Sequence, residues 1–209
     1  MPDLMNIVAP RTQQDETAAS DRILRAATTL FCQLGYHGTA VRALTRELGM
    51  EAPSLYYHFP SKQHILFAIL DRTLDDLLDG LRRAVAAAEG PADRLRAAIR
   101  FHVLFHTCRR QEAFVSHSEL RSLTPANLRR IVARRDEYER VFRDLLASGA
   151  RSGALHVPDA KLAAMAILTL CTGVATWFSD HGRLAPEAIA ERYVELILRS
   201  MDGTGRKSK

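Results

Sequence analysis

Apolar residues recur at spacings of three and four along most of this chain, the period of an amphipathic helix. The first such stretch, at about 17–34, places six residues on one face: Ile23, Leu24, Ala27, Leu30, Phe31 and Leu34. A longer stretch runs from about Ser61, its predicted N-cap, to Ala88 and ends before Gly90-Pro91. No alternating strand pattern bounded by turns occurs, so the pattern predicts an all-α protein.

Two short helices are predicted between these long ones. Gly35 ends the first helix, and Thr39 is the predicted N-cap of a helix over Val41–Leu48. Gly49 separates it from a helix over Pro53–His58, which Pro60 stops. Beyond Pro91 the spacing predicts five more helices, at about 92–108, 112–122, 125–151, 158–180 and 186–202.

This pattern predicts a domain organisation. We expect an N-terminal three-helix head over 17–60 and a larger helical domain over 61–202. A flexible arm is expected over 1–16 and a frayed tail over 203–209.

Composition narrows the class only a little. With 47% apolar and 25% charged residues, the 209-residue chain is typical of a globular protein. No apolar run approaches membrane-spanning length and no secretory signal is visible, so we expect no membrane association. Cys32, Cys108 and Cys171 form no CxxC pair or disulfide framework, which favours a reducing, cytoplasmic location.

Charge permits nucleic-acid binding without establishing it. The net charge is +5, yet the stretch from Arg11 to Lys62 holds six basic and five acidic residues. The basic excess lies between Arg82 and Arg151 instead, so a DNA-binding interpretation of the head depends on its motif.

That motif is TAVRALTRELGMEAPSLYYHFPSK, over 39–62. Two short helices around a glycine turn form a helix-turn-helix pattern, whose second helix enters the major groove of DNA. Leu55 is expected to face the core and to leave neighbouring polar and aromatic side chains for DNA. Tyr57 and Phe59 are also expected to pack partly against the long helix, and the competing interpretation of these aromatics is simple core packing.

At these residues the chain resembles the TetR family of regulators, over about Thr17 to Leu70. The resemblance implies that Thr39 contacts the DNA backbone, that the residues around Tyr56 face DNA and that Lys62 holds a phosphate. Met50-Glu51 departs from the usual family pattern. The full predicted DNA-binding set is Thr39, Arg42, Pro53, Ser54, Tyr56, Tyr57, His58 and Lys62.

The larger domain is expected to hold an apolar effector among its helices. The predicted lining is Leu66, Leu70, Phe101, Phe105, His106, Arg109, Phe114, Arg121, Phe142, Leu146 and Trp177. Ordinary core packing is the competing interpretation for each of them. The stretch Ser118–Ala154 resembles a TetR subgroup that senses acyl-coenzyme A thioesters, whose phosphates arginines could bind.

These arginines have a second interpretation. Arg109-Arg110, Arg121, Arg129-Arg130 and Arg134-Arg135 are the residues that could meet coenzyme A phosphates. The chain has 25 arginines and four lysines, however, so they could equally form a solvated helix face.

The sequence gives little support for a catalytic site or a metal site. His102 and His106 share a helix face and could meet a metal, but the pattern lacks a third ligand, and a polar pocket lining is preferred. No catalytic triad order or phosphate-binding glycine loop occurs, so we expect neither an enzyme nor a resident cofactor or metal.

The last two helices are expected to form a homodimer interface, as the family resemblance implies. The predicted contact residues are Ala164, Leu168, Cys171, Tyr193 and Leu196; burial within one chain is the alternative.

The sequence thus predicts a dimeric repressor that binds palindromic double-stranded operator DNA and is released by a small apolar effector, with an acyl-CoA thioester suspected. The alternatives are a DNA-binding activator or regulator with no small-molecule effector or with a metal effector, and a helical lipid carrier whose head no longer binds DNA.

Overall fold

The computed structural model describes residues 18–202 and confirms the all-α fold, with no strand among those residues. The predicted arm and tail lie outside the described residues. The first four helices are α1 (Ala18–Gly38), α2 (Val41–Leu48), α3 (Ala52–His58) and α4 (Lys62–Ala86). They are followed by α5 (Pro91–Cys108), α6 (Arg110–Ser118), a 3₁₀ turn (Leu120–Ser122), α7 (Pro125–Arg151), α8 (Ala160–Thr172), α9 (Val174–Trp177) and α10 (Pro186–Ser200).

The described residues form two compact units whose boundaries differ from a division at residue 60. Of the described residues, the N-terminal unit comprises 18–76 together with Arg110–Arg134. The C-terminal unit comprises Leu77–Arg109 and residues 135–202. Consequently α4 and α7 each contribute residues to both units, and α6 belongs with the head.

The core of the N-terminal unit forms around α1. Ile23, Ala27 and Phe31 are fully buried, as the helical spacing predicts. Leu34 was wrongly placed on this face, since 55% of its surface is exposed. The backbone leaves helical geometry at Gly35, with φ of 72°, a conformation that glycine adopts without steric cost. Tyr36 beyond this kink then packs edge-on against Phe31 at a ring distance of 5.4 Å.

Thr39 is not the N-cap of α2, contrary to the sequence prediction. Ala40 occupies the N-cap position without a side-chain hydrogen bond. The buried Thr39 hydroxyl instead donates to the carbonyl oxygens of Gly35 at 2.8 Å and Leu30 at 3.3 Å. The Thr39 side chain therefore bonds the backbone of α1 on both sides of the kink instead of capping α2. Ser61 does act as predicted, because its hydroxyl accepts from the His64 N–H.

Two predicted helices are interrupted. The helix predicted at 112–122 is α6 followed by the 3₁₀ turn, and the helix predicted at 158–180 is α8 and α9, separated at Gly173. Asp159 caps α8 by accepting from the N–H groups of Lys161 and Leu162. Within the C-terminal unit, α5 packs against α8, α9 and α10.

Thr39→Val tests the role of the buried hydroxyl. The substitution keeps the side-chain shape but removes the buried hydroxyl that bonds the Gly35 and Leu30 carbonyls, so we expect a loss of about 1–3 kcal/mol in the free energy of unfolding. Chemical denaturation at fixed protein concentration measures it. Thr45→Val is the matched control, because the Thr45 hydroxyl bonds the Arg42 carbonyl at an exposed position. Equal stability losses in both variants would contradict the assignment.

Candidate DNA-binding surface and effector core

The second helix of the helix-turn-helix presents a row of exposed side chains. Leu55 is buried and anchors α3, while Pro53 and Ser54 are exposed. Tyr56 is 45% exposed and Tyr57 is 86% exposed, so Tyr57 does not pack against the long helix as expected. Arg42 on α2 is exposed as well. Five of the eight predicted DNA-binding residues therefore lie on accessible surface of the N-terminal unit.

The remaining three are engaged within the protein. Thr39 is buried, as described above. The half-buried His58 lies with its Nδ1 3.4 Å from the Ser20 hydroxyl of α1. The Lys62 ammonium donates to the carbonyl oxygens of Tyr36 and Thr39, both at 2.8 Å, and lies 4.2 Å from the Tyr36 ring centroid. Burial lowers the pKa of Lys62.

The predicted effector-lining residues divide between the two units. Leu66, Leu70, Phe114 and Arg121 belong to the N-terminal unit, where the two leucines are fully buried and Arg121 is exposed. The predicted residues of the C-terminal unit that are buried are Phe101, Phe105, His106, Phe142 and Leu146. The rings of Phe101 and Phe105 lie 5.9 Å apart. This second group thus forms a buried aromatic cluster.

A buried polar network runs through this cluster. The rings of His102 and His106 stack at 4.1 Å, and His106 Nδ1 donates to the His102 carbonyl at 2.8 Å. The other partners of His102 are the Tyr138 hydroxyl, 2.9 Å from Nδ1, and the Thr172 hydroxyl, 3.0 Å from Nε2. Both ring nitrogens of His102 thus take part in hydrogen bonds, which favours a polar lining over metal ligation.

Burial controls the ionisation of this network. Burial lowers the pKa of His106 to about 4, and the nearby Arg135 charge acts in the same direction, so His106 is neutral at pH 7. Burial also raises the pKa of Tyr138 well above its usual range. Among residues 18–202 there is no group of three or more His, Cys, Asp or Glu side chains placed to hold a metal ion.

Tyr138 and Thr172 were missed by the sequence analysis. Tyr138 precedes the predicted Phe142 by one helical turn, so helical spacing could have identified it. Thr172 lies 70 residues from His102 in the chain, and no local pattern connects them.

Several arginines proposed for phosphate binding have partners inside the protein. Arg134 forms ion pairs with Asp71, at 2.6 Å, and with Asp75. The Arg130 guanidinium lies 4.5 Å from the Phe67 ring centroid. Arg109, at the end of α5, lies 5.2 Å from the Phe105 ring centroid at the edge of the aromatic cluster. Arg109 therefore lies beside the cluster, as does Arg135, whose charge acts on His106.

Trp177 is exposed, unlike the buried rings of the aromatic cluster. It is 55% exposed and lines a surface groove of about 290 Å³ together with Phe178, Arg183, Leu184 and Ile189. Its predicted place in the effector lining stays a prediction.

The predicted dimer contacts also need revision. Ala164 and Cys171 are fully buried within their own chain and have no surface to offer a partner. Leu168 and Tyr193 are half-buried, and Leu196 is 60% exposed. Among the described residues of the C-terminal unit, the large exposed apolar side chains are Leu162, Met165, Leu170, Trp177 and Leu196. We call these five residues the apolar face.

Most of the apolar face lies on one apolar segment. Over 18 residues, Ala160–Trp177 has a mean hydropathy of 1.5, enough by length and composition to cross a membrane, contrary to the sequence analysis. Only 28% of this window is buried in the chain, so considerable apolar surface remains in contact with water.

Comparison with known proteins identifies both parts of the chain. Residues 23–69 match the family model of bacterial regulatory proteins of the TetR family. Residues 88–201, more than half of the chain, match the model of the tetracyclin repressor-like C-terminal domain.

Individual relatives agree with these matches. A TetR-family regulatory protein from Rhodococcus RHA1 is 33% identical over 89% of this chain and 98% of its own, with a TM-score of 0.84. AibR, solved with isovaleryl coenzyme A and operator DNA, is 27% identical over 86% of this chain and 97% of its own, with a TM-score of 0.80. The transcriptional repressor KstR2 of Mycolicibacterium smegmatis is 24% identical over 91% of this chain and 94% of its own.

One conclusion follows from the helix-turn-helix with its exposed α3 row, the helical C-terminal unit and the two family matches. This chain belongs to the TetR family of bacterial transcription regulators, which bind operator DNA as dimers and respond to small-molecule effectors, and it is not an enzyme.

Proposed function

We propose that this protein is a cytoplasmic repressor that binds a palindromic operator as a homodimer and is released by an apolar effector. The observation that carries the proposal is the exposed row Ser54, Tyr56 and Tyr57 on α3. A helix of this kind fits the major groove, where hydroxyl groups bond phosphates and aromatic rings contact thymine methyl groups. Two such helices in a dimer would lie about 34–36 Å apart, one turn of DNA.

We propose an acyl-coenzyme A thioester as the effector. AibR, a relative over most of the chain, was solved with isovaleryl coenzyme A. In this chain the buried aromatic cluster of α5 and α7 supplies an apolar environment for an acyl group. Arg109 at its edge supplies a cation for the phosphates of coenzyme A.

A second candidate is a regulator without a small-molecule effector. The observation in its favour is that the aromatic cluster fills space with its own rings, since His102, Tyr138 and Phe142 lie within 6.0 Å of one another. An effector would then have to displace packed side chains, which costs free energy.

The apolar face is proposed as the dimer interface in place of Ala164 and Cys171. Leu162 and Met165 lie three residues apart on α8, Leu170 lies about two turns beyond Leu162, and Leu196 on α10 is similarly exposed. A partner copy would remove these side chains from water, and symmetric dimers pair the same patch with itself.

Tyr57→Ala tests the DNA-binding row. Because Tyr57 contacts little of its own protein, we expect unchanged stability and operator binding weakened about 10-fold or more, the cost typical of losing a base contact. Fluorescence anisotropy with the chain's own upstream DNA measures the affinity. Leu34→Ala, also exposed in the same unit, is the control and should bind as wild type. Wild-type affinity in the Tyr57 variant would refute the role of this row.

The effector class is tested by titrating the protein–DNA complex with isovaleryl coenzyme A, isovaleric acid or free coenzyme A. We expect release from the upstream DNA by the thioester at concentrations where neither component acts alone, because the proposed site combines an apolar cluster for the acyl group with a cation for the phosphates. Arg109→Gln should raise the thioester concentration needed about 10-fold, since a charge-assisted hydrogen bond is lost. Arg96→Gln, exposed on the same helix, is the control. If longer acyl-CoA thioesters also failed to release the protein from its operator, the result would favour the regulator without a small-molecule effector.

Leu196→Glu tests the dimer interface. A carboxylate on the apolar face would lose hydration on association, so we expect the dimer dissociation constant to rise about 30-fold or more. Sedimentation equilibrium measures it. Leu34→Glu places the same charge on an exposed leucine of the N-terminal unit and should leave dimerisation intact. A fully dimeric Leu196→Glu protein would place the interface elsewhere.

A further inference from the structure

The side chain of Gln63, in the first turn of α4, joins three separate parts of the N-terminal unit. Its Nε2 donates to the Tyr36 hydroxyl at 2.8 Å and to the Ser122 carbonyl at 2.6 Å. Its Oε1 accepts from the Thr124 N–H at 3.2 Å. One amide group thereby connects the end of α1 with the turn that precedes α7.

The chemistry of these partners requires an amide. The Ser122 carbonyl can only accept and the Thr124 N–H can only donate, so the orientation of the Gln63 amide is fixed. A carboxylate would bring its oxygen against the Ser122 carbonyl, and an apolar side chain would satisfy neither backbone group. Both hydrogens of Nε2 are used in the structure.

The Tyr36 end of this connection reaches the helix-turn-helix. Tyr36 is buried against Phe31, and its carbonyl is held by Lys62, the neighbour of Gln63. Lys62 also holds the carbonyl of Thr39, two residues before α2. The first turn of α4 therefore fixes the segment from which α2 begins.

The other end is a short, internally bonded turn. The Ser122 hydroxyl donates to Glu119 Oε2 at 2.8 Å, and the Ser122 and Leu123 N–H groups bond the carbonyls of Glu119 and Leu120. The Leu128 N–H in α7 bonds the Thr124 carbonyl at 2.8 Å. We call residues 119–124 the 119–124 turn; the Thr124–Leu128 bond attaches it to the first turn of α7.

We infer that Gln63 is a positioning residue that couples the 119–124 turn to the operator-binding head. The inference rests on the proposed function, since it requires a head that binds operator DNA. Energetic coupling between two places is reciprocal. Displacement of the turn should alter operator affinity, and operator binding should in turn change the stability of the turn's hydrogen bonds. The second effect can be measured before any effector is known.

Hydrogen exchange of the full-length protein, with and without its upstream DNA, tests this coupling. The informative amides are those of Ser122, Leu123 and Leu128, because their hydrogen bonds do not involve Gln63. In the wild type we expect operator binding to slow their exchange about fivefold or more, the lower end of typical coupling.

Three variants separate coupling from simple stabilisation. Gln63→Met keeps the length of the side chain and removes all three bonds, and Gln63→Glu removes the donors. Tyr36→Phe removes only the hydroxyl and keeps the buried ring, so it guards against a folding defect in the other two. In each variant we expect the operator-dependent change at the turn to disappear. A merely structural role would raise exchange equally with and without DNA.

The control is Gln111→Met. Gln111 also bonds α1, because its Oε1 accepts from the Thr29 hydroxyl at 3.3 Å, but it does not reach Tyr36. This variant should keep the wild-type response.

The outcomes distinguish the inference from the proposed function. Wild-type protein that binds its DNA without any change at the 119–124 turn would overturn the coupling and leave the repressor proposal intact. A response that persists in both Gln63→Met and Tyr36→Phe would overturn the role of Gln63. A wild type that binds no DNA at all would overturn both.

Discussion

The geometry of the head depends on how the end of α1 is held. At the kink at Gly35 the chain leaves helical geometry, and side chains from α4 and from Thr39 bond the carbonyls around it. The Lys62 ammonium donates two hydrogen bonds there, to Tyr36 and Thr39, and the single Thr39 hydroxyl proton is shared between the Gly35 and Leu30 carbonyls. Because burial opposes the charged form of Lys62, these bonds must offset the cost of desolvating it. The same few residues therefore hold the segment from which α2 begins.

This arrangement shows why the sequence predicted the fold better than the roles of individual residues. The helical spacing and the glycine and proline breaks located most helices, since a buried face imposes its period on the sequence. A motif cannot say, however, whether a lysine meets a DNA phosphate or a carbonyl of its own chain, because both are oxygen acceptors. Thr39 posed the same difficulty: a threonine just before a helix is typical of an N-cap, yet the kink at Gly35 gave its hydroxyl other partners.

The C-terminal unit adds a second limit on prediction. Apolar residues occur all around the segment Ala160–Trp177, so helical periodicity does not show which of its faces packs against the core of the same chain. The small side chains Ala164 and Cys171 were assigned outward, but small residues also permit close packing within one chain, and these two are buried. Likewise, Arg134 is separated by 63 and 59 residues from the carboxylates that bind it, so its sequence neighbourhood gave no sign of the pairing.

Helix α4 is held on two sides within the N-terminal unit. Arg72 pairs with Asp21 of α1 at 2.6 Å, while Asp71 and Asp75 pair with Arg134 of α7. Ion pairs between partly exposed side chains tolerate small movements of the helices because their free energy changes gradually with distance. The hydrogen bonds of the Gln63 amide depend more strongly on geometry, because hydrogen bonds weaken steeply once they are misaligned. Each such bond contributes about 0.5–1.5 kcal/mol, and a regulatory shift needs a few kcal/mol in total. Three bonds on one side chain are therefore of the right magnitude to transmit a displacement of the 119–124 turn to the head, whereas the ion pairs keep α4 in place while it responds.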